Sequence, residues 1–322
     1  MEPLLKVRNL KTYFISKNAT VKAVDGVDFE VYPGKVLGIV GESGSGKSMT
    51  SLSVMRLVPG PQGKIVEGEI LLEGKDLLYI SEREMRDVRG NRIGMIFQEP
   101  MSALNPVLKV GEQIGEVLIR HRKLTKAQAK TQSISLLRSV GFPRAEQIVD
   151  EFPHQLSGGM RQRAMIAMAM ACEPSLLIAD EPTTALDVTI QAQVLDLMRA
   201  LKDEKGTAIL LITHDLGVVA EMADDVVVMY GGQVVESASA DEIFDRPTHP
   251  YTQALMASIP SIEEEHERLL TIPGTVPSAA HFPQGCRFAD RCTLVEDRCR
   301  EHMPALREVY PGHSVRCTVV NG

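Results

Sequence analysis

The sequence has no tryptophan, and aromatic residues make up only 4% of its 322 residues. Proteins that bind nucleic acid use a basic face or a platform of aromatic rings. This chain has a net charge of -7 and offers neither feature, so we expect no nucleic-acid partner. No apolar run approaches the ~18 residues of a membrane span, and the first residues, MEPLLKVRNLK, lack the apolar centre of a signal peptide. We expect a soluble cytoplasmic protein that meets a membrane only through protein partners.

A glycine-rich segment, GESGSGKS, occupies residues 41–48. It follows the apolar run VLGIV, which is typical of a buried strand, and precedes MTSLSVMRLV, which is typical of a helix. Glycine permits turns that a Cβ would forbid, so successive N–H groups and the helix N-terminus can bind phosphate oxygens. The pattern predicts a phosphate-binding loop, with Lys47 on the β- and γ-phosphates and the Ser48 hydroxyl on Mg²⁺. The other nucleotide contacts predicted in this loop are Ser43, Gly44, Ser45 and Gly46.

The segment LLIADEP predicts a second buried strand that ends in two acidic residues. Carboxylates at this end of a strand in an open α/β sheet lie on the side where ligands bind. We expect Asp180 to hold Mg²⁺ through water, and Glu181 to act as the general base that activates the attacking water. A solvated strand end is the alternative, and the phosphate loop on the same chain disfavours it.

The segment LSGGMRQR, just before that strand, predicts another anion site. Ser157 is a good N-cap, Gly158 and Gly159 leave room for a close approach of backbone, and MRQRAMIAMAMAC continues as a helix. The methionines of this helix are interpreted as core filling rather than as a metal site. A second phosphate site on the same chain exceeds the needs of one nucleotide.

These motifs, in this order, resemble the ATP-binding cassette (ABC) family over residues 1–240. In that family the signature serine and glycines close on the nucleotide of a second subunit, so Ser157, Gly158 and Gly159 are expected to bind the partner's ATP. The resemblance also implies roles for residues that are weak signals singly. Gln98 in MIFQEP would touch Mg²⁺ and sense the membrane subunit, and His214 in LLITHD would contact the γ-phosphate.

Two further contacts follow from the same resemblance. Asp187 in TTALD matches the loop through which one ATPase subunit touches its partner's site. Phe14, or alternatively Tyr13, lies where the family stacks an aromatic ring on adenine. The expected cofactors are therefore ATP and Mg²⁺, with the metal held by Ser48, Gln98 and Asp180.

The expected fold class is α/β, a P-loop NTPase of the ABC type with a RecA-like core. Alternation in residues 4–34 predicts an antiparallel β subdomain that carries the adenine contact. Apolar spacings of three and four in VGEQIGEVLIRHRK and KAQAKTQSISLLRSVGF predict a helical subdomain over about residues 100–165. The segments EGEILLEG, RIGMIFQ, TAILLIT and DDVVVMY predict further strands. We predict an ATP-binding domain over residues 1–240 and a small extension over residues 241–322.

The segment DRPTHPYTQALMASIP resembles the extension of one ABC branch, the ATPases of dipeptide, oligopeptide and nickel importers. IFQEPMSALNP also resembles that branch, although Glu99 stands where an aspartate is expected. By itself, the sequence from His249 to Tyr251 would indicate only a turn with proline at the first position of a helix. The importers of this branch pair two ATPase subunits with two membrane permease subunits and an extracytoplasmic binding protein.

Four of the five cysteines lie in the last 37 residues, spaced C-x5-C-x6-C-x17-C: Cys286, Cys292, Cys299 and Cys317. Structural disulfides are disfavoured in the cytoplasm, so four thiols in a loop-rich tail with little apolar material predict a metal that supplies folding energy. Zinc sites usually contain a C-x2-4-C pair, which is absent, and the importers of the resembled branch can carry a [4Fe-4S] cluster here. Zinc and unliganded thiols remain alternatives. Cys172 is interpreted as a small buried hydrophobe.

The sequence therefore predicts the ATPase subunit of an importer of peptides or a related small solute, at the cytoplasmic face of the inner or plasma membrane. Nickel and other solutes remain open, and a second ATPase of different sequence is expected. A soluble ABC protein of DNA repair or translation would carry a coiled-coil insertion or two fused cassettes. A non-hydrolysing subunit would lack Glu181 or His214, and an exporter would have fused spans. The nucleotide site is complete before residue 240, so we expect the cysteines to leave it unaffected.

Overall fold

The computed structural model describes residues 2–99, 103–184, 186–258 and 271–320. Its strands are β1 (Leu5–Ile15), β2 (Thr20–Val31), β3 (Val36–Val40), β4 (Gly63–Leu72), β5 (Lys75–Asp76), β6 (Ile93–Ile96), β7 (Leu176–Asp180), β8 (Ala208–Ile212), β9 (Asp225–Tyr230), β10 (Gln233–Ser239), β11 (Arg307–Tyr310) and β12 (His313–Val315).

The helices within the described ranges are α1 (Lys47–Val54), α2 (Glu82–Val88), α3 (Val110–Arg122), α4 (Lys126–Ser139), α5 (Ala145–Ile148), α6 (Gly158–Met170), α7 (Val188–Lys205), α8 (Leu216–Met222), α9 (Ala240–Asp245), α10 (Pro250–Ala257) and α11 (Asp297–Glu301). Two 3₁₀ turns cover Pro153–Gln155 and Ala289–Arg291. A membrane span needs a longer and more apolar helix than any within these ranges.

The chain divides into two compact units, and the first contains Val31–Lys35, Tyr79–Leu211 and the N-terminal residues up to Leu4. Strand β6 pairs in parallel with β7, with Ile93 opposite Leu176 and Ile96 opposite Ala179. Both strands are buried along their whole length. Apolar runs of this kind form strands that are covered on both faces.

The two helices predicted from spacings of three and four are present in this first unit as α3 and α4. Helix α3 buries Val110, Ile114 and Leu118, which lie four residues apart and so share one face. Helix α4 begins at a capping box, in which Thr125 accepts from the Gln128 N–H and the Gln128 side chain accepts in return. Residues 100–102 of the predicted helical subdomain lie outside the described residues.

The second unit contains Leu5–Glu30, Val36–Leu78 and Ile212–Gly322. One of its sheets has the strand order β2-β1-β4-β5. Strand β1 pairs antiparallel with β4, with Leu5 opposite Leu72 and Phe14 opposite Gly63. The sheet predicted from residues 4–34 is present, and the strand predicted in EGEILLEG joins it as part of β4.

Strand β3 of the second unit pairs in parallel with β9, which pairs antiparallel with β10. The end of the chain extends this sheet, because β12 pairs with β10 and β11 pairs with β12. A tight turn at Gly312, with φ of 73°, joins the two added strands. The expectation of a loop-rich tail was therefore wrong in part, since the tail contributes two strands to a sheet.

The extension also shares an apolar cluster with the rest of its unit. Tyr251 from α10 is fully buried, with its ring centroid 4.6 Å from that of Tyr230. Phe288 lies 5.2 Å from Tyr230 and 5.3 Å from Tyr251. The tail has little apolar material, as the sequence shows, but its Phe288 packs on these rings and buries area that stabilises it. Residues 259–270, which include the last two residues of the segment DRPTHPYTQALMASIP, lie outside the described residues.

Candidate functional site

The phosphate loop follows β3, whose five residues are all buried, and leads into α1. Gly41 has a φ of 148°, and a Cβ there would lie 2.1 Å from the Met229 carbonyl oxygen. Gly46 has a φ of 101°, and a Cβ there would lie 2.5 Å from the Ala23 carbonyl oxygen. Both positions therefore require glycine, for its backbone conformation at Gly46 and for space at both.

Lys47 lies inside this loop and is only 5% exposed. Its Nζ donates to the carbonyl oxygens of Gly41 at 2.7 Å and of Glu42 at 3.1 Å. Ser45 Oγ is buried and has no hydrogen-bond partner among the described residues. A buried hydroxyl needs a polar partner, and phosphate oxygens are of that kind. No side chain caps α1 at Gly46, so the first N–H groups of the helix suit an anion.

The two candidate adenine residues lie on opposite faces of β1, as successive residues of a strand do. Phe14 shares its face with Thr12, whose hydroxyl lies 2.7 Å from that of Ser53 in α1. Phe14 is thus on the face of β1 that is turned toward α1, the helix that follows the phosphate loop. Tyr13 instead donates a hydrogen bond to Asp25. This arrangement favours Phe14 for adenine stacking.

The pKa of Asp25 reflects that network. Its partial burial raises the pKa, but the hydrogen bond from Tyr13 and the charge of Arg287 outweigh burial and lower it. Arg287 is itself only 6% exposed, and its guanidinium also donates to Asp25. Asp25 is therefore a charged anchor between the β subdomain and the C-terminal extension.

The predicted acidic site lies in the other unit, at the ends of β6 and β7. Because Ile96 pairs with Ala179, the residues two positions beyond each, Gln98 and Glu181, are brought together. Gln98 Nε2 donates to Glu181 Oε2 at 3.0 Å, and Thr184 Oγ1 donates to the same oxygen at 3.0 Å. Separate roles were predicted for Gln98 and Glu181, and the structure shows their side chains hydrogen-bonded to each other.

The backbone at this strand end is unusual. Asp180 ends β7 and is only 4% exposed. Glu181 has a φ of 48°, in the left-handed region that residues other than glycine rarely adopt. Strain of this kind persists where surrounding contacts hold a residue in place, and it is frequent at functional sites. The carboxylate of Glu181 is thereby aimed by its backbone as well as by its hydrogen bonds.

The signature segment begins α6 as the sequence predicts. Ser157 Oγ accepts from the Met160 N–H at 3.3 Å. A Cβ on Gly158 would meet no atom within 4 Å, and one on Gly159 would make ordinary contacts. The space above Gly158 is open to a close approach. Gln162, a residue of the same segment for which no role was predicted, donates to the Pro182 carbonyl oxygen at 2.6 Å and ties this helix to the segment after Glu181.

Two further predicted residues lie at helix starts. Asp187 caps α7, where its carboxylate accepts from the Ile190 N–H at 2.9 Å. His214 follows β8 and is exposed, and its neighbour Asp215 caps α8. Ala185, between the threonines and Asp187, lies outside the described residues.

The extension makes direct contact with the phosphate loop, which the sequence did not indicate. The Glu42 N–H donates to the Tyr251 hydroxyl at 2.8 Å. Both oxygens of the Glu42 carboxylate accept from Arg291, at 2.7 and 3.0 Å. All residues predicted to bind the nucleotide precede residue 240, but the loop that carries several of them is held by partners from later in the chain. No spacing rule could pair positions that are 249 residues apart in the sequence.

The four C-terminal cysteines line one cavity, and none of them forms a disulfide: Cys286, Cys292, Cys299 and Cys317. Leu294 N–H donates to the Cys292 sulfur at 3.4 Å. Burial raises the pKa of Cys286 to about 11, and a hydrogen bond from the Phe288 backbone partly opposes this rise. Backbone N–H groups aimed at sulfur are suited to thiolates that bind metal.

Four thiols are chemically suited to bind a metal, but the positions of these side chains do not form a metal site. Within the described ranges, no three His, Cys, Asp or Glu side chains are close enough to hold a metal ion together. The cavity has a volume of about 10 Å³, roughly the minimum for one water. A cluster would require the four thiols and the cavity between them to rearrange. Cys172 lies elsewhere in the chain and is 1% exposed, as expected of a small hydrophobe.

Comparison with known proteins gives two family matches. Residues 24–184 match the model described as ABC transporter, and residues 235–299 match the model described as oligopeptide/dipeptide transporter, C-terminal region. The oligopeptide transport ATP-binding protein AppD of Bacillus subtilis is 57% identical over 98% of this chain and 97% of its own length. A probable peptide ABC transporter ATP-binding protein of Sinorhizobium fredii, y4tR, is 54% identical over 98% and 94%.

A solved structure also resembles this chain. It is a dimer of the ATP-binding cassette MJ0796 in a post-hydrolysis state, bound to ADP and Pi. The two are 26% identical with a TM-score of 0.67, and the match covers 73% of this chain and 98% of that one.

Proposed function

This chain belongs to the ABC transporter family, with the C-terminal region of its oligopeptide/dipeptide transporters, and from that premise we propose that it is the ATP-hydrolysing subunit of a peptide importer. The observation that carries the proposal is the full-length relation to AppD together with a phosphate loop built for an anion. Peptide uptake driven by ATP is accordingly its function.

In this proposal, each residue of the nucleotide site has its own part in hydrolysis. Lys47 neutralises the phosphates, and Ser48 and Asp180 hold Mg²⁺ together with Gln98. Glu181 orients and deprotonates the attacking water, since a carboxylate held by two hydrogen bonds and a constrained backbone is well positioned as a base. Mg²⁺ held by these residues would offset the negative charge that builds on the phosphate oxygens during hydrolysis.

His214 and Phe14 complete the proposed contacts of the chain with its own nucleotide. His214 is exposed after the end of β8, from where it would contact the γ-phosphate. Phe14 stacks on adenine from the face of β1 that also carries Thr12. The exposed tips of the phosphate loop, Ser43 and Gly44, approach the phosphates through their backbone N–H groups.

We further propose that two ATPase subunits close face to face around ATP. Ser157, Gly158 and Gly159 bind the partner's nucleotide, for which the open space above Gly158 is suited. Asp187 lies at the same proposed contact, and the next residue, Val188, is 83% exposed and so accessible to a partner subunit. The dimeric state of MJ0796 supports this arrangement.

The remaining partners are proposed from the family. Two membrane permease subunits carry the peptide, and an extracytoplasmic binding protein delivers it. The second ATPase is proposed to be a different chain. Closure of the pair on ATP and its release after hydrolysis drive the permeases between their two open states. In this proposal, the chain is a peripheral subunit at the cytoplasmic face of the membrane. It consists of an ATP-binding domain over residues 1–240 and an extension over residues 241–322.

We also propose that the four cysteines of the extension hold a [4Fe-4S] cluster. Their convergence on one cavity and the N–H group aimed at Cys292 support it, although the cavity must expand. Protein purified without oxygen should be brown, with about four irons per chain and absorption that fades in air. Stoichiometric zinc without iron would assign the site to zinc. If the protein contains neither iron nor zinc, the four thiols are unliganded.

The experiment that tests the proposed function is the substitution Glu181→Gln in the assembled transporter. Loss of the base should lower ATP turnover by about 10²–10⁴-fold and stop peptide uptake, while ATP still binds and the dimer stays closed. Turnover is measured by phosphate release, and uptake by a labelled oligopeptide in vesicles. Hydrolysis near the wild-type rate would remove Glu181 from this role, and uptake without ATP would refute the proposal as a whole.

A further inference from the structure

Glu42, in the phosphate loop, is held by groups on three sides. Its N–H donates to the Tyr251 hydroxyl at 2.8 Å. Its carboxylate receives two parallel hydrogen bonds from Arg291, at 2.7 and 3.0 Å. Its carbonyl oxygen accepts from Lys47 at 3.1 Å. The residue therefore connects the lysine of the loop to two side chains of the C-terminal extension.

Arg291 is rigid enough to serve as an anchor. Its side chain is 4% exposed, whereas that of Glu42 is 31% exposed. Besides its two bonds to Glu42, it donates to the carbonyl oxygens of Pro273 and Ile272 and to the Tyr230 hydroxyl. A guanidinium that is bound on every side has its position set by the extension, and a two-bond pair with a carboxylate fixes orientation as well as distance.

Tyr251 is anchored in the same way. Its ring is fully buried against Tyr230 and Phe288, and its position at the start of α10 is fixed by Pro250 and by the His249 cap. Its hydroxyl reaches the loop from a packed core rather than from a mobile surface. The loop is thus supported by two side chains that solvent cannot displace.

The state of Glu42 matters for ATP because a phosphate loop binds through its backbone. The N–H groups must point at the anion before it arrives, and the observed affinity falls with the fraction of molecules whose loop has that shape. Without Tyr251 and Arg291, Glu42 would be free to rotate, and with it the carbonyl that accepts from Lys47.

We propose that Arg291 and Tyr251 are positioning residues for ATP binding, through which the C-terminal extension sets the conformation of the phosphate loop. The inference rests on the proposed function as an ATPase. It gives the extension a task in nucleotide binding, because the state of the extension is transmitted to the nucleotide through Glu42. Any change that unfolds the segment around Arg291 should then weaken ATP binding, although ATP does not touch that segment.

The test measures Mg-ATP affinity of the full-length chain by fluorescence titration. Tyr251→Phe keeps the ring and removes the acceptor of the Glu42 N–H, so Kd should rise about fivefold, or ~1 kcal/mol. Arg291→Lys keeps the charge and loses the two-bond geometry, so Kd should rise about tenfold, or ~1.4 kcal/mol. Tyr310→Phe is the matched control, since it removes a tyrosine hydroxyl from β11, where the ring contacts Arg246 and His313 rather than the loop. Its Kd should stay within about twofold of the wild type.

A purely structural role would lower thermal stability and leave affinity unchanged, so the unfolding midpoint of each nucleotide-free variant is measured alongside Kd. Unchanged Kd for Tyr251→Phe would overturn the proposal, as would an equal rise for Tyr310→Phe. If Arg291→Lys does not fold, the comparison of the two tyrosine variants decides. A wild-type chain that binds no ATP would refute the proposed function itself, whereas a wild-type chain that binds ATP with unaffected variants would refute only this inference.

Discussion

A buried carboxylate fastens both ends of the C-terminal extension, and its removal is the most direct test of how this part of the fold is held. Glu236 in β10 has no exposed surface. Its oxygens accept from the backbone N–H groups of Thr248 at 2.7 Å and His249 at 2.9 Å. One oxygen also lies 2.7 Å from Nε2 of His313, at the start of β12.

The expected loss of stability follows from the number of buried polar groups that would be left without a partner. Glu236→Ala leaves two buried N–H groups and one imidazole nitrogen, and a buried polar group without a partner costs ~1–3 kcal/mol. The substitution also removes the cost of burying a charge, so we take the lower end for each group. We therefore expect a loss of ~3 kcal/mol in the free energy of unfolding. Glu236→Gln keeps one acceptor oxygen and should cost ~1 kcal/mol.

Urea unfolding followed by circular dichroism measures these differences. Glu69→Ala, at an exposed position in β4 of the same unit, is the control and should stay within ~0.5 kcal/mol of the wild type. Limited proteolysis adds a local test, because loss of the anchor should expose the extension to cleavage before global unfolding. If Glu236→Ala unfolds at the same urea concentration as Glu69→Ala, the reasoning about this carboxylate is wrong.

Three further predictions concern the nucleotide, the cysteines and pH. Lys47→Ala should abolish tight ATP binding, whereas Ser157→Arg should leave ATP bound to the single subunit and block dimerisation in gel filtration; equal loss of affinity in both would contradict binding in trans. Cys317→Ser should lower the iron content of anaerobic preparations and moderately weaken ATP binding, while Cys172→Ser should change neither. Asp25→Asn should destabilise the protein at neutral pH, and the difference should shrink as pH falls below ~4, because a carboxyl with a lowered folded pKa stabilises only where it is charged. A difference that is constant with pH in urea unfolding would rule out this charge effect.

Several contacts in this structure could not be predicted from motifs or periodicity along the sequence. The pair of Gln98 and Glu181 depends on the register of two parallel strands, which motif order does not specify. Arg291 lies beside Cys292 in a segment whose spacing pointed only to metal ligands. The sequence indicated that Tyr251 belongs to an importer-type extension, but no periodicity indicated that its hydroxyl meets the phosphate loop.

The sequence by itself determined what depends on short stretches of chain. The conformation of the phosphate loop at Gly46, the N-cap at Ser157 and the periodic helices α3 and α4 all follow from neighbouring residues, because backbone sterics and capping act over a few positions. Only the tertiary structure decided that Glu42 would be held by the extension and that Glu236 would fasten both ends of it. Those contacts join residues far apart in the chain, and their partners are chosen by the packing of strands and rings rather than by local pattern.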